Sequence, residues 1–119
     1  MKNNNKTLCL PLKKEWYEMI ESGVKKEEYR EIKPYWNKRF FKSFPVFWRV
    51  LFSACMASND YSPFYEKEIH PIYDVVKFSY GYTKRTMCFE LEKITVGKGN
   101  PEWGAPNKDV FIIHLGKRV

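Results

Sequence analysis

The spacing of apolar residues changes twice within the first thirty positions. Thr7 to Leu12 is a short apolar run that contains a proline near its end, which is typical of a strand that stops there. From Lys13 to Ser22 the period becomes helical, and the residues expected on the apolar face are Leu12, Trp16, Met19 and Ile20. Gly23 follows, where a left-handed residue can end a helix. The pattern predicts a strand followed by an amphipathic helix.

Alternation returns between Lys25 and Ile32. A strand here places Lys26, Glu28 and Arg30 on one side and Glu27, Tyr29 and Glu31 on the other. Pro34 ends this strand and suits the first turn of a short helix that carries aromatic and basic residues together.

The segment from 43 to 57 is rich in apolar residues but is interrupted by Pro45 and Arg49. It is too short to span a bilayer, so we expect a buried strand or helix and no membrane partner. Residues 58 to 70 are polar and rich in turn formers, which predicts a surface loop.

The second half of the chain predicts β-structure. The three candidate strands are Ile72 to Phe78, Arg85 to Val96 and Val110 to Leu115, separated by glycines and prolines. The unbroken apolar run at 110–113 implies a strand that is covered on both faces. The order of elements predicts an α+β fold, a closed or nearly closed β-barrel of five or more strands with one or two packed helices.

Length and composition limit the possible functions. The 119 residues suit a single domain from 1 to 119, and a hydrophobic content of 44% provides enough material for a core. Lysine and arginine number 21 against 14 acidic residues, so the formal charge is +7. Such a charge favours phosphate-rich partners, although many basic domains bind no nucleic acid.

The cysteines do not suggest a metal site. Cys9, Cys55 and Cys88 are odd in number and far apart, and only His70 and His114 are available to help, so we expect neither a metal nor a cofactor. Cys9 and Cys88 lie in apolar runs, where a free thiol behaves as a small buried hydrophobe. The two histidines are interpreted as structural. The N-terminus shows no signal peptide, so a reducing, cytoplasmic location is expected.

The candidate chemistry lies where the first helix meets the second strand. A glycine at 23 lets the chain turn sharply, so that Lys25 can project into a cleft, and the strand period places Glu28 and Arg30 on one face. An ammonium, a carboxylate and a guanidinium at one place could hold a phosphate and a base edge, or could transfer protons if burial lowers the lysine pKa. The alternative is an exposed salt-bridge ladder without function.

Two further segments combine bases with aromatic rings, at 36–39 and 80–85, which is the chemistry of stacking and phosphate contact. The residues predicted to bind nucleic acid are Lys25, Lys26, Arg30, Lys33, Trp36, Lys38, Arg39, Tyr82, Lys84 and Arg85. Each ring is as well suited to the core as to a ligand.

The spacing Gly-x-Lys-x-x-Glu-x-Arg, formed here by Gly23, Lys25, Glu28 and Arg30, resembles the signature of the ASCH family, which belongs to the PUA-like group. The likeness covers about three quarters of the chain and extends to small ASCH proteins of bacteria and phages. Further matching segments are Lys33–Trp36 with Arg39, Tyr73–Phe78 with Gly81–Tyr82, Glu102–Gly104 and Leu115–Gly116. Residues 43–70 match nothing in the family and are interpreted as an elaboration of the barrel.

The resemblance implies a PUA-like barrel whose cleft binds RNA or a nucleotide-like ligand. Related ASCH proteins include an amidohydrolase that acts on acetylated cytidine and others with ribonuclease activity. The amidohydrolase lysine matches Lys25, but its threonine is replaced here by Glu28, and Glu102 is the nearest candidate for its later glutamate. A second hypothesis is therefore a hydrolase in which Lys25 and Glu28 act as an acid/base pair with Arg30 beside them. A third is a protein-interaction or phage-accessory domain.

The charge of the lysine separates binding from catalysis. Carboxylates at contact distance stabilise an ammonium group, so Glu28 and any nearby Glu102 are expected to keep Lys25 protonated at neutral pH. We therefore expect a fixed cation and a binding module.

Overall fold

The computed structural model describes residues 6–119. Its strands and helices follow in the order β1 (Lys6–Leu12), α1 (Lys14–Glu21), β2 (Glu27–Glu31), α2 (Pro34–Phe40), α3 (Val46–Ser58), β3 (Tyr73–Tyr80), β4 (Thr86–Lys98) and β5 (Asp109–Arg118). Single 3₁₀ turns occur at Ser62–Phe64 and Pro101–Trp103. The expected α+β class is confirmed, and the predicted strands differ from the observed ones by up to three residues at each end.

The five strands form one mixed sheet in the order β1-β3-β4-β5-β2. β1 is parallel to β3, and the other neighbouring pairs are antiparallel. The sheet curls into a half-barrel. Within residues 6–119, β1 and β2 are the two edges and do not pair with each other, so the structure shows a half-barrel where a closed or nearly closed barrel was predicted. The gap between these edges becomes the site described below.

Strand β1 shows why a proline is tolerated near the end of a strand. Leu8, Leu10 and Leu12 point into the core, and the strand lies at an edge, where a missing N–H does not interrupt a central ladder. The alternation that buries these leucines turns Cys9 outward. The prediction that Cys9 is buried is therefore wrong, Cys88 is only half-buried, and Cys55 in α3 is the buried thiol.

Helix α1 packs on the sheet as predicted, and its buried face agrees with the predicted one at Ile20 but not elsewhere in the helix. Tyr17 and Ile20 are its buried residues, and the Tyr17 ring makes a T-shaped contact with the Tyr80 ring in β3 at 5.2 Å between centroids. Trp16 and Met19, which were predicted on the buried face, are only half-buried. Because the buried face is rotated by about one residue, Trp16 is free to face the gap in the half-barrel.

The segment from 43 to 70 belongs to the core. The apolar stretch, for which either a strand or a helix was expected, forms α3, and Phe52 is fully buried against Phe41, Phe64 and Phe111. The predicted surface loop after it is wrong in part, because Phe64 and Ile69 are buried. Two backbone hydrogen bonds join Ile69 to Ile94 of β4, so this connection adds to the sheet.

The middle of β5 is covered on both sides. Val110, Phe111, Ile112 and Ile113 are all buried, which confirms the expectation from their unbroken apolar run.

None of the helices in residues 6–119 is long and apolar enough to cross a membrane.

Candidate ligand-binding cleft

The gap between β1 and β2 contains a cleft with a volume of about 480 Å³. The end of β1, the start of α1, one face of β2 and the turn between β3 and β4 form its walls. The lining residues are Pro11, Leu12, Lys13, Trp16, Glu28, Arg30, Gly81 and Tyr82. Two of the three predicted site residues therefore share one concave surface with two aromatic rings.

Lys25 reaches this region by the turn that the sequence predicted. Gly23 has a φ of +89°, a conformation that side chains other than glycine rarely adopt, and the carbonyl of Met19 accepts hydrogen bonds from both Val24 and Lys25. The lysine side chain does not enter the cleft, however. It is 2% exposed and lies beneath the cleft wall, which corrects the expectation of an accessible ammonium.

The Lys25 ammonium is enclosed by groups from three parts of the chain. Its Nζ lies 5.1 Å from the centroid of the Trp16 ring and 4.8 Å from that of Tyr29. It donates a hydrogen bond to the backbone carbonyl of Trp103 and pairs with Glu28 Oε1 at 3.2 Å. These contacts hold the lysine in place and leave it without a path to a ligand.

Glu28 joins the lysine to the arginine. While its Oε1 faces Lys25, its Oε2 lies 3.0 Å from Nη2 of Arg30. The same Nη2 donates to the Pro11 carbonyl of β1 at 3.3 Å, and the guanidinium lies 5.8 Å from the centroid of the Trp36 ring. One carboxylate thus balances two cations, and the arginine side chain bridges the gap that no strand pairing closes.

Two opposing effects act on the pKa of Lys25. Removal of the ammonium from water lowers its pKa below the ordinary value of 10.5, and this effect outweighs the opposing attraction of Glu28. The sequence-based expectation gave more weight to the carboxylates, and its conclusion that Lys25 stays protonated at neutral pH remains a prediction. The rings of Trp16 and Tyr29, which lie against the amine, could not be placed from the sequence.

Glu102 does not join this cluster. Its side chain is exposed, and the ion pairs of residues 6–119 do not include it. The neighbouring Trp103 contributes instead, through a backbone carbonyl that carries no sequence signal. The glutamate proposed by resemblance to the amidohydrolases therefore lies outside the cluster.

The other residues predicted to bind nucleic acid are dispersed. Lys26, Lys33, Lys38 and Lys84 are exposed, and Tyr82 is 96% exposed at the mouth of the cleft. Three others already have partners within the fold: Arg85 pairs with Glu21, Arg39 donates to the Tyr73 hydroxyl, and Trp36 stacks on Phe40. Only Arg30 and Tyr82 of the predicted set line the cleft itself.

Two aromatic residues of the site were not identified from the sequence. Trp16 was predicted to be core, and Tyr29 was noted only for its side of the strand. A signal did exist in the two glycines after β4: a Cβ at Gly99 would lie 2.4 Å from the Tyr29 ring, and one at Gly104, where φ is +99°, would lie 3.0 Å from Trp16. Because these two glycines have no side chain, the loop after β4 can approach the rings of Tyr29 and Trp16 and cover Lys25.

A second network of polar contacts holds the hydroxyl group of Tyr29. The Tyr29 hydroxyl donates to Glu27 at 2.8 Å and accepts from the backbone N–H of Asn100 at 3.1 Å. Glu27 also faces Nδ1 of His114 at 3.7 Å, and Nε2 of that histidine lies 2.8 Å from the Thr95 hydroxyl. His114 thus has a structural role at the outer face of the sheet. Among residues 6–119 there is no group of three His, Cys, Asp or Glu side chains that could hold a metal.

The partial burial of His114 predicts a pH dependence of stability. Burial lowers the pKa of His114 below the ordinary value of 6.5, so the unfolded chain binds this proton more readily than the folded one. The contribution of His114 to stability is therefore intact above the ordinary value and is lost as the pH falls below it. We expect a slope of up to about 1.4 kcal/mol per pH unit from this single proton.

Urea unfolding of the native chain and of His114→Gln between about pH 7.5 and 5.5 measures this slope. The variant is expected to lose part of the acid sensitivity. His70→Gln is the matched control, because the His70 side chain is exposed and, within residues 6–119, its ring contacts only the carboxylate of Glu68. Equal slopes for the native chain and His114→Gln would contradict the assignment.

No family model, curated protein or solved structure matches the chain. The ASCH and PUA-like assignment therefore rests on the matching residues alone and stays a prediction.

Proposed function

We propose that the cleft between β1 and β2 binds RNA or a nucleotide-like ligand. The observation that supports this most is the combination of a guanidinium and two aromatic rings in one concavity, from Arg30, Trp16 and Tyr82. An arginine can bind a phosphate or a base edge through paired N–H groups, and exposed rings can stack on unpaired bases. The volume of about 480 Å³ suits a single nucleotide better than a duplex.

The charge of the protein favours the same class of ligand. The formal charge of +7 raises the local concentration of polyanions, and Lys13 adds an exposed ammonium at the wall of the cleft. Arg30 is positioned by Glu28 and by the Pro11 carbonyl, so its guanidinium is ordered before a ligand arrives. A preorganised cation loses less entropy on binding than a mobile surface lysine.

We favour binding over hydrolysis because of where Lys25 lies. A general base must come within hydrogen-bond distance of the proton that it removes, and the Lys25 amine is enclosed by Glu28, the Trp103 carbonyl and two rings. In this proposal the lysine neutralises Glu28 and supports the floor of the cleft, while Arg30 and the rings contact the ligand.

Replacing Tyr82 with Ala is expected to weaken the binding of single-stranded RNA. A ring stacked on one base contributes about 1–3 kcal/mol, which corresponds to a rise in Kd of about 5- to 150-fold. The side chain is almost fully exposed, so its loss should leave the fold intact. Fluorescence anisotropy with a labelled oligonucleotide measures Kd, and a repeat at higher salt should show affinity falling as phosphate contacts are screened.

Tyr65→Ala is the matched control, because Tyr65 is an exposed tyrosine that lines a different depression with Lys98 and Asp109. Arg30→Ala should also weaken binding, provided that its circular dichroism remains native. If the native chain binds no RNA and no mononucleotide at low salt, the binding proposal fails and the protein-interaction hypothesis becomes the better one. Equal losses in Tyr82→Ala and Tyr65→Ala would place binding away from the cleft.

A further inference from the structure

Helix α3 is apolar around most of its circumference. Its inner side buries Phe52 and Cys55, as a core helix should. Its outer side exposes Val46, Phe47 and Val50 to 63%, 66% and 61%, followed by Ser53, Ala54 and Ala57, which are also exposed. A surface helix normally carries charged residues on the side that faces water. The outer face of α3 therefore has the composition of a contact surface.

The outer residues are spaced for packing against another helix. Val46, Val50, Ser53 and Ala57 lie four, three and four residues apart, which places them in one stripe along α3. Large residues at the start of the stripe and small residues at its end allow a second helix to approach closely. A groove of about 420 Å³ beside the stripe is lined by Pro34, Asn37, Lys38, Val46, Arg49, Val50 and Ser53.

The charged side chains that line the groove beside this stripe have one sign. Residues 32–59 contain no Asp or Glu, and their five basic residues are Lys33, Lys38, Arg39, Lys42 and Arg49. Two of these, Lys38 and Arg49, line the groove itself. A second copy of the chain would bring like charges to the same surface, which opposes self-association. A partner with acidic residues beside its apolar stripe complements both features.

We propose that the outer face of α3 and its adjoining groove bind an amphipathic helix of another protein, one whose apolar stripe is flanked by acidic side chains. The 13 residues of α3 give a seam about 20 Å long, enough for about four turns of the partner. The concave groove and the small residues Ser53, Ala54 and Ala57 fit an inserted helix, whereas a membrane surface would require protruding bulky side chains along the whole stripe. The groove beside α3 and the cleft between β1 and β2 share no lining residue. The proposal therefore does not depend on ligand binding in the cleft.

Two synthetic helical peptides provide the test. Both carry the same stripe of leucine and alanine, and the stripe is flanked by glutamate in one peptide and by lysine in the other. Titration of the full chain into each labelled peptide, followed by fluorescence anisotropy, should show binding of the glutamate peptide only. Val50→Lys should raise its Kd at least about tenfold, because the new ammonium lies in the middle of the stripe.

Val24→Lys is the matched control, because Val24 is a similarly exposed valine, 56%, outside α3. Thermal unfolding checks that both variants are folded. The proposal is overturned if the glutamate peptide does not bind, if both peptides bind equally, or if Val24→Lys weakens binding as much as Val50→Lys. Two other results would also overturn it. One is a dimer in sedimentation that Val50→Lys disrupts, and the other is binding to vesicles of phosphatidylglycerol that Val50→Lys abolishes.

Discussion

Replacing Glu28 with Gln is expected to lower the free energy of unfolding by about 3–5 kcal/mol, which is the usual result of removing one partner from a buried ionic cluster. The carboxylate lies 3.2 Å from the Lys25 ammonium and 3.0 Å from the Arg30 guanidinium. A glutamine occupies the same space but leaves two cations close together without the carboxylate that lies between them. The attraction that opposes desolvation of Lys25 is then reduced to the weaker one of Glu27.

The chain can limit this loss by releasing the lysine proton. Neutralising an amine of ordinary pKa 10.5 at neutral pH costs about 5 kcal/mol, so the penalty should not exceed that value. In the variant the pKa of Lys25 falls further, and the unfolded chain binds the proton more strongly than the folded one. Stability should therefore rise with pH above neutrality, and part of the loss should be recovered at about pH 9.5.

Urea unfolding of Glu28→Gln at neutral and alkaline pH measures both effects. Glu31→Gln is the matched control, because Glu31 lies in the same strand but is exposed and pairs only with the exposed Lys33 and Lys108 within the described chain. We expect its unfolding midpoint to remain that of the native chain. A Glu28→Gln variant as stable as Glu31→Gln at neutral pH would show that the buried cluster is not ionic.

Replacing Phe52 with Ala is expected to lower the free energy of unfolding by about 3–5 kcal/mol, because a large core side chain leaves a cavity that its neighbours cannot fill. The Phe52 ring stacks on Phe111 of β5 at 5.3 Å between centroids and contacts the rings of Phe41, Tyr61 and Phe64. Phe52 thus packs α3 directly against the sheet.

Phe47→Ala in the same helix is the control, because that ring is 66% exposed. Its loss should leave the unfolding midpoint near that of the native chain, whereas Phe52→Ala should shift it strongly. The change at Phe52 should also be nearly independent of pH, in contrast to Glu28→Gln. A small effect of Phe52→Ala, below about 1 kcal/mol, would mean that residues 43–70 do not contribute to the core.

The cleft exists because the half-barrel is open between β1 and β2. Arg30 connects these edges by a side chain, through the Pro11 carbonyl, instead of by a backbone ladder. The loop after β4 then approaches closely at Gly99 and Gly104 and covers Lys25 from the other side. Glu28 therefore pairs with a buried lysine on one side and with an accessible arginine on the other.

Local patterns in the sequence determined most of the elements. Alternation in β1 placed its leucines inward, the strand period put Glu28 and Arg30 on one face, and Gly23 marked the turn after α1. Each of these features depends on residues that are close together along the chain, so it can be predicted from the sequence pattern. The unbroken apolar run at 110–113 belongs to the same class, because a strand without polar positions must be covered on both faces.

Tertiary structure alone decided the environment of the lysine and the exposure of α3. The Lys25 ammonium is enclosed by the rings of Trp16 and Tyr29 and by the carbonyl of Trp103, which lies 78 residues away along the chain. A helix that is apolar around most of its circumference gives no periodic signal of which side is buried, so only packing against Phe111 turned Phe52 inward and Val50 outward. The physical reason is the same in both cases: periodicity is a property of neighbouring residues, whereas desolvation depends on whatever the fold brings near from a distance.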